Sequence, residues 1–258
     1  MKLPASTLAV QIGVFGLFHP AELRVRPAPG TVLTIEENGS RYTLEGARTA
    51  TFGVNTRARI TSRSGEFVLS VPGKIERRFT GVLSIEPAGR ALNAMVEIDL
   101  ETAVASVVAA ESPPGASLEA LKAQAVVARS FYAASGARHA AFAFCDTTHC
   151  QFLREAPAAN SLAGRAARAT RGLALTYQGK PFAAMYSASC GGGTRSLERP
   201  AAPGAYPYYA VRCVRGHASP RGHQLGLCQE GAAAMAAAGA SFREILEHYY
   251  PNTSLENY

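Results

Sequence analysis

Glu111 is the residue of this chain best suited to proton chemistry. It follows Val107, Val108, Ala109 and Ala110 in the run VVAAESPPG. Taking a carboxylate out of water disfavours its charged form, so a glutamate among small apolar residues can hold a proton near neutral pH and give it up as a general acid. Pro113, Pro114 and Gly115 then force a break, which puts Glu111 at the end of one helix and close to the start of the next. A solvated glutamate at a helix end is the competing reading.

A second constellation has the residue types that zinc prefers: His139, Cys145, His149 and Cys150. Cys145 and His149 are one helical turn apart, so both can face one point. Three readings stand open here. Four protein ligands would make a closed, structural zinc site, a Cys145–Cys150 disulfide would suit an exported protein, and two buried thiols would suit a cytosolic one. The remaining cysteines are Cys190, Cys213 and Cys228, five in all. Cys190 opens the Gly191-Gly192-Gly193 turn and Cys213 lies beyond a proline-containing loop, so a Cys190–Cys213 bridge would fasten that loop. Cys228, just before a helix, reads as a free buried thiol. Ser187 and Ser189 sit ahead of the same glycines, where a ligand can approach the backbone closely, although serines in turns often bond only their own backbone.

The elements that must carry these residues follow from periodicity. Ser117 is a suitable N-cap, Glu119 complements the dipole of the first turn, and Leu118, Leu121, Ala125, Ala128 and Tyr132 recur at helical spacing as one buried stripe. Lys122, Gln124 and Arg129 on that helix are expected to bring cationic and amide donors near Glu111; a wet helix face is the alternative. From about residue 8 to 98 the pattern is β. TVLTIEE and SRYTLEG flank Asn38-Gly39, a hairpin signal, ARITSR and EFVLSV flank a turn at Ser64-Gly65, and FTGVLSIEP and NAMVEIDL continue the strands. GLALTY and FAAMYSA flank Gln178-Gly179, the stretch 154–169 reads as a loop with a short helix, and Ser241 with Glu244 forms a capping box before FREILEHYY, which Pro251 stops. The expected class is α+β: an antiparallel β-rich part over 1–92, then a mixed α/β part over 93–258 ending in helices, the two forming either separate domains or one continuous domain.

Composition fits a globular chain, with 47% hydrophobic and 17% charged residues among 258. The net charge of +7 favours anionic partners, but no Lys/Arg cluster is interleaved with aromatics, so nucleic acid is not expected. No run of about 18 apolar residues is present, so no membrane span is expected. Pro4, Ser6, Thr7 and Gln11 interrupt the first apolar run, which reads as a first strand, VQIGVFGLF, rather than a signal peptide.

Four ordered segments, VVAAESPPGASLEALKAQAVVARSF, CDTTHCQ, YSASCGGGT and GHQLGLCQEGAAAMAAAGASFREILEHYYPNTSL, together resemble the stage II sporulation protein D family (SpoIID/LytB) over roughly residues 93–255. That family includes lytic transglycosylases and amidase enhancers of the cell wall. The resemblance implies that Glu111 is the catalytic acid and that His223 lies in the cleft; Lys122, Gln124, Arg129, Ser187 and Ser189, by their positions on the helix and at the turn, are the residues expected to position the glycan. It also implies an exported, cell-envelope protein acting on peptidoglycan strands stripped of stem peptides, with a structural zinc in related clusters. Two function classes remain: an enzyme cleaving glycan with one carboxylate, or a non-catalytic module activating a cell-wall amidase. The chain departs from the family's GHGVGMSQ pattern at Gln224, which replaces a glycine, and at Cys228, which replaces a serine.

Overall fold

The computed structural model describes residues 8–63, 65–197, 205–216 and 219–258, and the chain is α+β. Ser64 and the first seven residues lie outside this description. Two compact units are present, Met1–Ala103 with Gly136–Ala156, and Val104–Ser135 with Pro157–Tyr258. Their division is not one cut in the sequence, because the chain returns to the first unit for the segment that holds His139, Cys145, His149 and Cys150.

The first unit is built from strands β1 (Ala9–Val14), β2 (Glu22–Pro27), β3 (Val32–Glu37), β4 (Ser40–Glu45), β5 (Ala50–Gly53), β6 (Ala58–Ser62), β7 (Glu66–Val71), β8 (Ile75–Thr80), β9 (Val82–Ala88), β10 (Ala91–Asp99) and β11 (Phe144–Cys145). They form a seven-stranded sheet in the order β11-β1-β10-β9-β6-β3-β4 and a four-stranded sheet in the order β5-β2-β7-β8. All neighbours are antiparallel except β1 with β11. Strand periodicity sets what is buried: Leu92, Ala94, Val96 and Ile98 of β10 point inward while the residues between them do not. The β3–β4 hairpin turns on Asn38 and Gly39, both left-handed at φ 47° and 88°, as a two-residue primed turn requires.

The strands on either side of Gly65 do not pair with each other; β6 belongs to the larger sheet and β7 to the smaller. The chain crosses back at Gly81, whose N–H donates to the Gly65 carbonyl at 2.8 Å. Any Cβ on Gly81 would stand 2.0 Å from the Glu97 carbonyl oxygen, so only glycine fits this crossing.

Asp146 ties the returning segment to this unit. Its carboxylate takes a bond from Arg77 at 3.2 Å and from the Phe15 N–H at 3.3 Å, and Arg77 also donates to the Leu153 carbonyl at 3.0 Å. Both charged side chains are over nine-tenths buried. Burial holds the Asp146 carboxyl above the usual carboxylate range, and it outweighs the opposing pull of the Phe15 amide and of Arg77. Desolvation here exceeds the attraction of the pair, but removing one partner strands the other charge. Asp146→Ala is therefore expected to cost about 3–5 kcal/mol of unfolding free energy, and the apolar double replacement Arg77→Met with Asp146→Leu to recover most of it. Denaturant unfolding of the three proteins checks this.

The second unit contains helices α1 (Leu100–Glu111, in this unit from Val104), α2 (Leu118–Ala134), α3 (Leu162–Ala169), α4 (Gln229–Ala237) and α5 (Phe242–Tyr249), with strands β12 (Leu173–Tyr177), β13 (Lys180–Pro181), β14 (Tyr186–Ser187), β15 (Leu227–Cys228) and β16 (Ser254–Asn257). Helix α2 is its axis. Leu121, Ala125, Ala128 and Tyr132 of the expected stripe are buried, and Leu118 is half-buried. Ser117 stands at the N-cap with extended backbone, yet its hydroxyl makes no capping bond; the serines that do cap are Ser161 and Ser241, the latter in the full box with Glu244.

The hairpin at Gln178-Gly179 is shorter than the sequence suggests. Strand β13 stops at Pro181, which has no N–H with which to extend the ladder. The other edge of β12 is taken by β16, Leu173–Thr176 facing Ser254–Asn257 antiparallel.

Candidate functional site

Glu111 is the last residue of α1. The turn that follows is closed by the Ala116 N–H on the Pro113 carbonyl at 3.1 Å, with Gly115 left-handed at φ 76°. Of the apolar residues ahead of it, Val107 and Val108 are fully buried, Ala110 is half-buried and Ala109 is exposed, so the apolar wall covers one side only. Glu111 is itself half-buried.

Tyr186 is the direct partner of the Glu111 side chain. Its phenol hydrogen-bonds the carboxylate, and its pKa is raised well above the usual phenol value, first by burial and then by the charge of Glu111. It therefore stays protonated and acts as a donor. Strand β14, which carries Tyr186, pairs in parallel with β15, Tyr186 opposite Leu227 and Ser187 opposite Cys228. Tyr250 clamps this pair: its hydroxyl donates to the Met185 carbonyl at 2.5 Å and accepts from the Leu227 N–H at 3.1 Å. The close approach needs Gly226, where any Cβ would stand 2.0 Å from the Met185 oxygen.

Gln229, the first residue of α4, reaches the same place. Its amide nitrogen donates to the Glu111 backbone carbonyl at 3.0 Å and to Gln124 Oε1 at 3.4 Å. The Gln124 nitrogen and the hydroxyls of Ser112 and Ser187 are buried and find no hydrogen-bond partner among the described residues. Buried polar groups are otherwise almost always paired, so donors gathered beside Glu111 suit a polar ligand. His223 lies on the loop entering β15. It accepts the Leu225 N–H on Nδ1 at 2.9 Å and bonds the Tyr186 backbone carbonyl, and packing around the ring lowers its pKa. Gly222 lets this loop close in, since a Cβ there would stand 2.9 Å from the Ser187 Cβ.

Two of the nominated side chains are engaged elsewhere, and a third residue is closed off from solvent. Arg129 is fully buried and donates to the carbonyls of Leu173 at 2.9 Å and Ala167 at 3.3 Å, so its guanidinium fastens α2 to α3 and β12. Lys122 pairs with Glu119 at 2.6 Å and lies 5.7 Å from the centre of the Phe242 ring. Ser189 is 1% exposed, and its backbone exchanges hydrogen bonds with Arg221. Gln124, Ser187 and His223 are the nominated residues that gather with Glu111 through Gln229 and Tyr186. Neither Tyr186 nor Gln229 was singled out from sequence, although each stands inside a quoted motif, YSASCGGGT and GHQLGLCQ.

In the first unit, His139, Cys145, His149 and Cys150 come together with all ligand atoms within 4.8 Å of one another. Cys150 Sγ is 3.4 Å from His139 Nε2 and 3.6 Å from His149 Nδ1, and Cys145 Sγ is 3.8 Å from His149 Nδ1. Two sulfurs and two imidazole nitrogens so spaced fit a tetrahedral zinc with little movement. Cys190 and Cys213 are also neighbours, with Cys228 as a third sulfur within 4.8 Å.

A helix-end glutamate held by a tyrosine, on a glycine-closed pair of short parallel strands, defines a candidate acid site. Residues 88–177 match the family model of SpoIID, Stage II sporulation protein. It is also similar to an uncharacterized protein of Brachyspira hyodysenteriae, 32% identical over 123 residues, which are 46% of this chain and 33% of the relative. The chain thus aligns with about a third of that relative's length.

Proposed function

We propose that the chain is a peptidoglycan lytic transglycosylase with Glu111 as its only catalytic carboxylate. The observation that carries this reading is the Glu111–Tyr186 pair with unpartnered buried donors beside it. Most glycosidases need two carboxylates, one to protonate the leaving oxygen and one to activate water or attack carbon. A muramic acid residue brings its own nucleophile, the C6 hydroxyl. Glu111 protonates the glycosidic oxygen, the bond to C1 breaks, and the C6 oxygen closes on C1 while its proton passes to the Glu111 carboxylate. The acid is restored and no water is consumed. Tyr186 and Gln229 hold the acid in place, and Ser187, Gln124 and His223 supply donors for sugar hydroxyls. The substrate is glycan stripped of stem peptides, met in the cell envelope by an exported protein. Zinc bound by His139, Cys145, His149 and Cys150 serves structure, because four protein ligands leave no open position.

Incubating the purified chain with denuded glycan strands tests the reading, and soluble fragments are the expected result. No cleavage, together with faster peptide release by an added cell-wall amidase, would instead make it an amidase enhancer. Tyr186→Phe removes a bond to a charged group worth about 1.5–3 kcal/mol. Turnover should fall by about 10–100-fold and the melting temperature by a few degrees, which steady-state assays and thermal melts check.

A further inference from the structure

Cys190, Cys213 and Cys228 come from three separate stretches of the second unit, and each is 3% exposed or less. Their sulfurs lie within 4.8 Å of one another. Hydrogen-bond donors converge on them from every side. Cys228 Sγ caps α4, accepting from the Gly231 N–H at 3.3 Å and the Cys190 N–H at 3.4 Å. Backbone amides of Gly192 and Arg215 bear on Cys190 and Cys213, and the Tyr249 hydroxyl is 3.3 Å from Cys213 Sγ. Gly231 makes room for this arrangement, since a Cβ there would stand 1.9 Å from the Tyr249 oxygen and 2.5 Å from Cys213 Sγ.

A disulfide uses two sulfurs and needs no such donors. Three thiolates sharing a cation need all of them, because amide hydrogen bonds offset the surplus negative charge. Metal–sulfur bonds of about 2.3 Å put neighbouring sulfurs roughly 3.8 Å apart, within a small contraction of the present spacing. Soft thiolates with no imidazole or carboxylate among them select thiophilic ions.

We propose that Cys190, Cys213 and Cys228 form a second metal site, distinct from the two-cysteine, two-histidine cluster, that takes a thiophilic d10 cation, Zn2+ or Cu+. Each thiol releases its proton to solvent as its sulfur takes the metal. The proposal is independent of what Glu111 does.

The test uses the full chain, reduced and metal-free, titrated with Zn2+ and desalted before elemental analysis. Wild type should retain one equivalent more than Cys228→Ser and than Cys213→Ser, each shown folded by circular dichroism. X-ray absorption at the zinc edge of the loaded wild type gives a reading that needs no variant. Its shell should be richer in sulfur than the equal sulfur and nitrogen that the His139–Cys150 cluster supplies. Equal retention by wild type and both variants, or a shell no richer in sulfur than that, overturns the proposal. So does a stoichiometric Cys190–Cys213 disulfide in chain isolated without reductant.

Discussion

Replacing Glu111 with glutamine is expected to reduce glycan cleavage by at least about a hundredfold and up to ten-thousandfold, the range that a positioned general acid contributes. Glutamine keeps the size of the side chain and still accepts from Tyr186, so the turn at Pro113–Ala116 and the Gln229 bond to the Glu111 carbonyl survive. What is lost is the transferable proton, together with the charge that Tyr186 faces, while each neighbouring group keeps a bond. The melting temperature should therefore stay within a degree or two of wild type, which separates loss of chemistry from loss of fold. Asp146 is the nearest rival acid by motif, but its carboxylate is spent on Arg77 and the Phe15 amide within the first unit. Activity assays on denuded strands decide the matter, and cleavage by Glu111→Gln at the wild-type rate would remove Glu111 from the mechanism.

Withdrawing zinc is expected to have the largest effect on stability. The segment Gly136–Ala156 contains a single two-residue strand, β11, joined to β1, so backbone pairing does little to hold it. Structural zinc sites contribute about 10–16 kcal/mol in small metal-folded peptides, and even a fraction of that exceeds what β11 provides. A strong chelator, or Cys145→Ser, should lower the first unit's melting temperature and open this segment to protease, while the second unit stays folded. Thermal melts with limited proteolysis follow both. Protein without stoichiometric zinc but with a Cys145–Cys150 disulfide would refute the metal assignment.

Local chemistry made part of this molecule legible before its structure. The Asn38-Gly39 hairpin, the break after Glu111 and the Ser241–Glu244 box are each set by residues within a few positions of one another, and all three are present. The metal-type cluster is likewise local. What was hidden depends on distant partners. That β6 and β7 lie in different sheets is decided by pairing with β9 and β2, not by the turn between them. Arg129 reads from sequence as a donor beside Glu111, or else as part of a wet helix face, because helical spacing alone cannot show that the Leu173 and Ala167 carbonyls await it. Tyr186 meets Glu111 across 74 intervening positions, a distance over which no spacing rule reaches. Gln224 has a physical reading only in the fold: it stands left-handed at φ 62°, a conformation glycine adopts freely, and its amide bonds the Cys190 carbonyl at 3.3 Å.

The central claim is that one carboxylate suffices because the substrate carries the nucleophile. Mass spectrometry of denuded glycan digested by the purified chain tests it most directly. If Glu111 works with the C6 hydroxyl, the new ends are 1,6-anhydromuramic acid, lighter by one water than reducing muramic acid and unlabelled by borohydride, and Glu111→Gln yields none. Digestion that produced only reducing, borohydride-labelled ends would mean that water had attacked C1 with help from a second carboxylate, and would contradict the account.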